Sequence, residues 1–160
     1  MECGDPFHLL DVLSSHNVPF VVIGGHAVTY HGFVRATEDT DVVFRRTPET
    51  ELSLLAALAE VHACWIGNEI DPDTGIERTF PVSLPYIRGT QMMMLVTDFG
   101  FLDLFDYIPG CPDEPVEQLF DAAVEQGRYK YASLRWLRTM KEAADRPKDR
   151  IDLENLPEGP

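Results

Sequence analysis

The stretch VVIGGHAVTYHGFVRATEDTDVVF, residues 21–44, constrains this chain more than any other. An apolar, β-branched run stops at Gly24-Gly25, and a short amphipathic segment follows. Asp39 and Asp41 then stand one residue apart at the head of a second apolar run. FVVI, preceded by Pro19 and bounded by glycine, predicts a buried strand, and DTDVVF predicts a second. Alternate residues of a strand share a face, so the two carboxylates face the same way. Like charges that close raise one another's pKa unless a cation sits between them. Mg²⁺, a hard cation that prefers carboxylate and phosphate oxygens, suits such a pair. The competing account leaves both acids solvated at a strand edge.

A third acid weighs against that account. In FGFLDLFDYI, Asp103 lies between two leucines within an apolar run. An unpaired charge buried there costs several kcal/mol, so a cation or a hydrogen-bonding partner is expected beside it. Asp98 and Asp106 lie nearer the ends of the run, within reach of water. Glycines between a strand and a helix let backbone N–H groups approach an anion, although Gly-Gly also marks any tight turn. The sequence has neither GxxxxGK[ST] nor GxGxxG, so neither a P-loop nor a dinucleotide fingerprint applies.

The remaining pattern predicts an α+β fold, a small mixed β-sheet with flanking helices, in a single domain over residues 1–160. A first helix runs to about Ser15, and a short one spans His26 to His31. Thr47-Pro48-Glu49 opens a longer helix through ETELSLLAALAEVHA. Residues 67–75 read as a loop, and RTFPVSLPYI as a weak strand broken by Pro81 and Pro85. QMMMLV and FLDLF read as strands, with Met92 to Met94 filling core. VEQLFDAAVEQ predicts a helix and RYKYA a short strand or turn. SLRWLRTMKEAA predicts a helix capped by Ser133, and RPKDRIDLENL a separate one after the Pro147 break. Trp65 and Trp136 suit either core or base stacking.

Charge narrows the function classes. A formal net charge of −14 argues against nonspecific nucleic-acid binding by the surface as a whole. Eight of the 13 Lys and Arg nevertheless fall between Arg128 and Arg150, against three acids there. That stretch is either a solvated helix face with internal salt bridges or a cationic wall for a polyphosphate. No apolar run approaches the roughly 20 residues needed to cross a bilayer, so no membrane partner is expected. The opening MECGDPFHLL lacks a basic n-region followed by a long apolar segment, which makes a cytoplasmic location the expectation. Cys3, Cys64 and Cys111 form no CxxC and read as reduced thiols. His26 and His31, five apart, fall on different faces of a helix and make a poor zinc pair. Ser14-Ser15-His16 has no third partner for nucleophilic hydrolysis.

GGHAVTYHGFVRATEDTDVVF resembles the glycine-turn, short-helix, Asp-x-Asp signature of minimal nucleotidyltransferases in the DNA polymerase β-like superfamily. More closely, it resembles the bacterial group related to abortive-infection toxins. The tail MKEAADRPKDRIDLENL is similar to that group's closing helix, and with the LDL strand the resemblance spans roughly residues 7–156. It implies a polymerase β-like nucleotidyltransferase fold. It also implies that Gly24 and Gly25 cradle the β- and γ-phosphates and that Asp39 and Asp41 bind metal. Asp103 would complete the catalytic metal and help deprotonate the acceptor, and Arg35 and Thr37 would buttress the loop. Lys141 matches the tail lysine and would meet the triphosphate, with Lys148 as second candidate. Gly25 departs from the serine frequent in the superfamily, and the match around Asp103 is short.

The expectation is therefore a Mg²⁺- or Mn²⁺-dependent transfer of a nucleoside monophosphate from an NTP to a hydroxyl on RNA, protein or a small molecule. An alternative is a catalytically degenerate member of the fold that binds a protein partner, as in a toxin–antitoxin pair. Its acidity suits a basic partner. A third reading, modification of a cationic aminoglycoside, is also a transferase.

Overall fold

The runs FVVI and DTDVVF lie side by side at the centre of the molecule, whose computed structural model describes residues 7–33 and 39–157. Strand β1 (Phe20–Ile23) pairs antiparallel with β2 (Asp39–Phe44), placing Ile23 opposite Asp41. Between them α2 (Gly24–Tyr30) starts directly at the glycine pair, so the expected turn is itself the first turn of the helix. On its other side β2 runs parallel to β6 (Gly100–Phe105), which places Asp41 opposite Asp103. The hairpin partner of β6 is β5 (Met92–Thr97), with Met94 opposite Asp103.

Outward from β5 come β3 (Cys64–Ile70) and the edge strand β4 (Glu77–Pro81). Outward from β1 come β8 (Tyr129–Tyr131) and β7 (Val124–Gln126). The result is one mixed eight-stranded sheet, in the order β4-β3-β5-β6-β2-β1-β8-β7. The α+β class stands, but the sheet is larger than the small one expected.

The excess arises where local signals mislead. Gly67 and the polar residues after it suggest a loop, yet residues 64–70 are held as a strand by β4 and β5. Pro85 ends no strand; it occupies the first turn of α4 (Leu84–Gly89), where its missing N–H costs nothing. The helix expected over residues 116–126 stops early as α5 (Val116–Asp121), and the following residues form β7.

Each sheet face has its own core. Val22, Val42, Phe44, Met93, Leu102 and Leu104 are fully buried against α1 (His8–Ser15), α2 and α3 (Pro48–Glu60), which contribute Leu10, Leu13, Leu54 and Leu58. Each such side chain contributes about 1.5–3 kcal/mol by leaving water. On the opposite face Val21, Ile23, Val43 and Phe105 pack beneath α5 and α6 (Leu134–Ala144), through Leu119, Phe120 and Met140. Ser133 caps α6, its Oγ accepting from Trp136 N at 3.2 Å. Asp145, in the left-handed region at φ 48°, turns the chain into α7 (Pro147–Asn155), which packs on α6. Among the described residues, this second face is covered only toward β1. Toward β3 it leaves Ile66, Met92, Met94 and Phe101 exposed by 39–59%.

Among the described residues, no helix is long and apolar enough to cross a membrane.

Candidate metal centre

Strand alternation explains how Asp103 can stand in an apolar run. Leu102 and Leu104 enter the core, while Asp103 points from the other face beside Asp41. Asp39 shares that face two residues before Asp41. One carboxylate oxygen from each of Asp39, Asp41 and Asp103 lies within 4.8 Å of the others. The three acids sit in a cavity of about 510 Å³ that Gly24, Gly25, Lys141, Arg146 and Lys148 also line.

Gly24 is required here for two reasons. Its φ of +68° belongs to the left-handed region, which other residues adopt only with strain. A Cβ added there would also overlap Asp41 Oδ2 and lie 3.0 Å from the Asp41 Cβ and Cγ. The glycine thus makes room for the carboxylate as well as for any ligand.

Burial, then the charge of Asp103 and the hydrogen bond between the pair, then Asp39, push Asp41 up to about 7, against the opposing charge of Lys148. Asp103 is also raised, chiefly by burial, with the Asp39 charge adding; the hydrogen bond from Asp41 and the Lys148 charge oppose this. Asp41 Oδ1 is buried and has no hydrogen-bond partner among the described residues. Leaving a polar atom so costs about 1–3 kcal/mol. Three clustered carboxylates, one with a buried orphan oxygen, fit a hard divalent cation such as Mg²⁺ or Mn²⁺.

The two lysines play different parts. The Lys141 ammonium is buried between Asp149 Oδ1 at 3.2 Å and Asp152 Oδ2 at 3.0 Å, and both aspartate side chains are wholly buried. Arg146 Nε donates to Asp149 Oδ2 at 2.7 Å, and the Arg146 backbone N–H reaches the same oxygen at 3.1 Å. Burial pushes Asp149 up, but its bonds to Arg146 and Lys141 outweigh this and hold it below the usual carboxylate range. Lys141 therefore lines the cavity while its charge is committed to α7. Lys148, on that helix, acts with its charge on both Asp41 and Asp103, and the Arg146 guanidinium also interacts with Asp41.

The wider basic stretch is mostly internal pairing. Arg128 meets Asp11 at 3.2 Å, Lys130 meets Glu125 at 3.7 Å, and Arg150 meets Asp145 at 2.8 Å. Salt bridges account for most of it, and a continuous cationic wall does not form from these residues.

The other candidates take structural places. His31 Nε2 bonds the Ala132 carbonyl at 2.8 Å, and His26 Nε2 lies 3.4 Å from Thr40 Oγ1. Trp65 stacks with both Phe80 and Tyr86, and Trp136 packs on the second core. Cys64 and Cys111 are free thiols. Arg35, Thr37 and Cys3 lie outside the described residues. The three methionines divide: Met93 is core, as expected, whereas Met92 and Met94 are exposed on the acid face. A uniformly apolar run hides which side chains face out, and only the pairing of Met94 with Asp103 would have revealed it.

No protein-family model matches the chain. Nor does any of the curated proteins. Among solved structures the chain is similar to the crystal structure of JHP933 from Helicobacter pylori, at 16% identity and a TM-score of 0.40. The likeness covers 83% of this chain and 53% of that one, so the chain spans about half of that protein's length.

Proposed function

We propose that this protein is a divalent-cation-dependent nucleotidyltransferase with a polymerase β-like fold, transferring a nucleoside monophosphate from an NTP to an acceptor hydroxyl. The observation that carries this reading is the convergence of Asp39, Asp41 and Asp103 from two neighbouring parallel strands, within 4.8 Å, beside the Gly24-Gly25 start of α2. Asp39, Asp41 and Asp103 would hold the metal. A divalent cation bound there would supply charge neutralisation for the triphosphate and polarisation of the attacking hydroxyl.

The chain's own residues would do the rest. Gly24 and Gly25 present side-chain-free backbone to the phosphates. Lys148 adds positive charge from α7 on the opposite wall, in the role that the tail motif suggests for Lys141. Lys141 instead anchors α7, which carries Lys148, through Asp149 and Asp152. Asp103 would take the acceptor proton as the new phosphoester forms.

Incubation with labelled NTPs, Mg²⁺ or Mn²⁺ and cell extract should give a labelled product that Asp39→Ala and Asp41→Ala abolish. Absence of label, with the variants indistinguishable from wild type, would refute the reading. Calorimetry with ATP and Mg²⁺ separates it from the partner-binding alternative, for which neither should bind.

A further inference from the structure

A second cavity, of about 300 Å³, opens on the β3 side of the acids. Ile66, Met94, Val96 and Phe101 form its apolar walls, and Asp39 and Asp103 border it. Among the described residues, no Lys or Arg lines it. Its composition differs from the first cavity, which has Lys148 and Arg146 opposite the same acids. The two spaces meet at Asp39, Asp103 and Met94. One acid cluster thus stands between a partly cationic chamber and an apolar one.

We infer that this second cavity is the acceptor subsite, and that it takes a small alcohol or phenol with an apolar body and a neutral or positive charge. The inference rests on the nucleotidyltransferase reading for the role of acceptor, but not for the binding itself. Three observations carry it. The volume lies at the small end of ligand pockets, so it suits a single ring or short aliphatic body. The side chains offer methionine, isoleucine and phenylalanine surfaces, which gain from covering an apolar group. Among the described residues, the only charges at the border are carboxylates, which without a bound metal attract a cation and repel a phosphate backbone. RNA is disfavoured on that last ground, and the net charge of −14 adds to the repulsion.

An acceptor seated there brings its hydroxyl to Asp103, on the border of the two cavities. Its oxygen forms a bond to the α-phosphorus of the NTP, and the bond from that phosphorus to the bridging oxygen breaks. Pyrophosphate leaves with the electron pair, and the hydroxyl proton passes to Asp103.

The test uses the full chain, labelled with ¹³C at the methionine methyls. Met94 lies in the pocket, and Met93, fully buried on the other face, is an internal control. Three probes of similar shape are titrated without nucleotide or divalent metal: tyramine, 4-ethylphenol and 3-(4-hydroxyphenyl)propionate. A short single-stranded RNA forms a fourth arm, and each arm is repeated with Ile66→Arg, at a position that lines only this pocket. The expected result is a Met94 shift with a still Met93, and tyramine binding on the order of tenfold tighter than the propionate. Ile66→Arg should abolish the shift. Equal or tighter binding of the propionate, a Met94 shift with RNA, or an unchanged response in Ile66→Arg would overturn the inference. A separate titration with ATP and Mg²⁺ keeps the two readings apart. Loss of that binding with the phenol series intact defeats the transferase reading and leaves the pocket standing; the reverse defeats the pocket alone.

Discussion

At the scale of single residues, the candidate site depends on what is missing as much as on what is present. Gly24 lacks a side chain where Asp41 needs the space, and its backbone sits at φ +68°. Gly24→Ala must therefore both strain the backbone and push the carboxylate away from its neighbours. The first effect alone costs on the order of 1–3 kcal/mol. The expected outcome is a fall in thermal midpoint of several degrees and loss of the Mg²⁺-induced rise expected of wild type, both read by circular dichroism melts. Gly32→Ala is the control, because it sits at φ +112° with no described residue within 4 Å of an added Cβ. It should lose stability and keep the Mg²⁺ response. An intact Mg²⁺ response in Gly24→Ala would show that the Asp41 position does not depend on the glycine.

At the scale of elements, helices α6 and α7 act as a clamp with a charged interior. Lys141 from α6 enters between Asp149 and Asp152 of α7, and Arg146 closes Asp149 from outside. Removing the lysine takes the shared cation from two buried carboxylates and leaves Asp149 with Arg146 alone among its cations, so Lys141→Met should cost about 3–5 kcal/mol in urea unfolding. Lys148→Ala should leave the unfolding midpoint nearly unchanged and weaken ATP binding by calorimetry at least tenfold. If the two variants exchanged these effects, the division of labour between the lysines would be wrong. The element scale also shows what the sequence makes legible. β1, β2, β6 and the Ser133 cap announce themselves through β-branched runs, bounding glycines and a side-chain oxygen before a helical pattern. The acid triad is legible for a related reason: a charge in an apolar strand must face a different environment from its neighbours. β3 and β7 are not legible, because their conformation comes from partners distant in sequence. Lys141 misleads because a motif gives a position without saying which neighbour will take the charge. The Ile66–Met94–Phe101 pocket is hidden for a further reason, since it depends on β3 lying next to β5 and on no helix among the described residues covering that half of the sheet.

At the scale of the whole molecule, the cost of gathering the acids falls on global stability. Asp41 has its pKa raised from 3.8 to about 7 in the folded chain. Below the unfolded value both states hold the proton, and the contribution of this group is fully present. Between the two values the unfolded chain has released its proton while the folded chain keeps it. The folded state then binds more protons, so stability falls as pH rises, and the loss is complete above about 7. Asp103 is shifted in the same direction. Asp149, lowered by Arg146 and Lys141, acts with the opposite sign, and its contribution is lost in acid. With chelator present, the stability of wild type relative to Asp41→Asn should therefore decrease from pH 5 to pH 8, by a few kcal/mol in order of magnitude. Mg²⁺ should reverse the trend, raising the wild-type midpoint more at pH 8, where the carboxyl is already ionised, than at pH 5. Melts across that range, with the Asn variant subtracted at each pH, isolate this contribution from the chain's other titrating groups. A flat difference, or a Mg²⁺ effect greater in acid, would mean that the acids are not held together in solution as they are in the fold described.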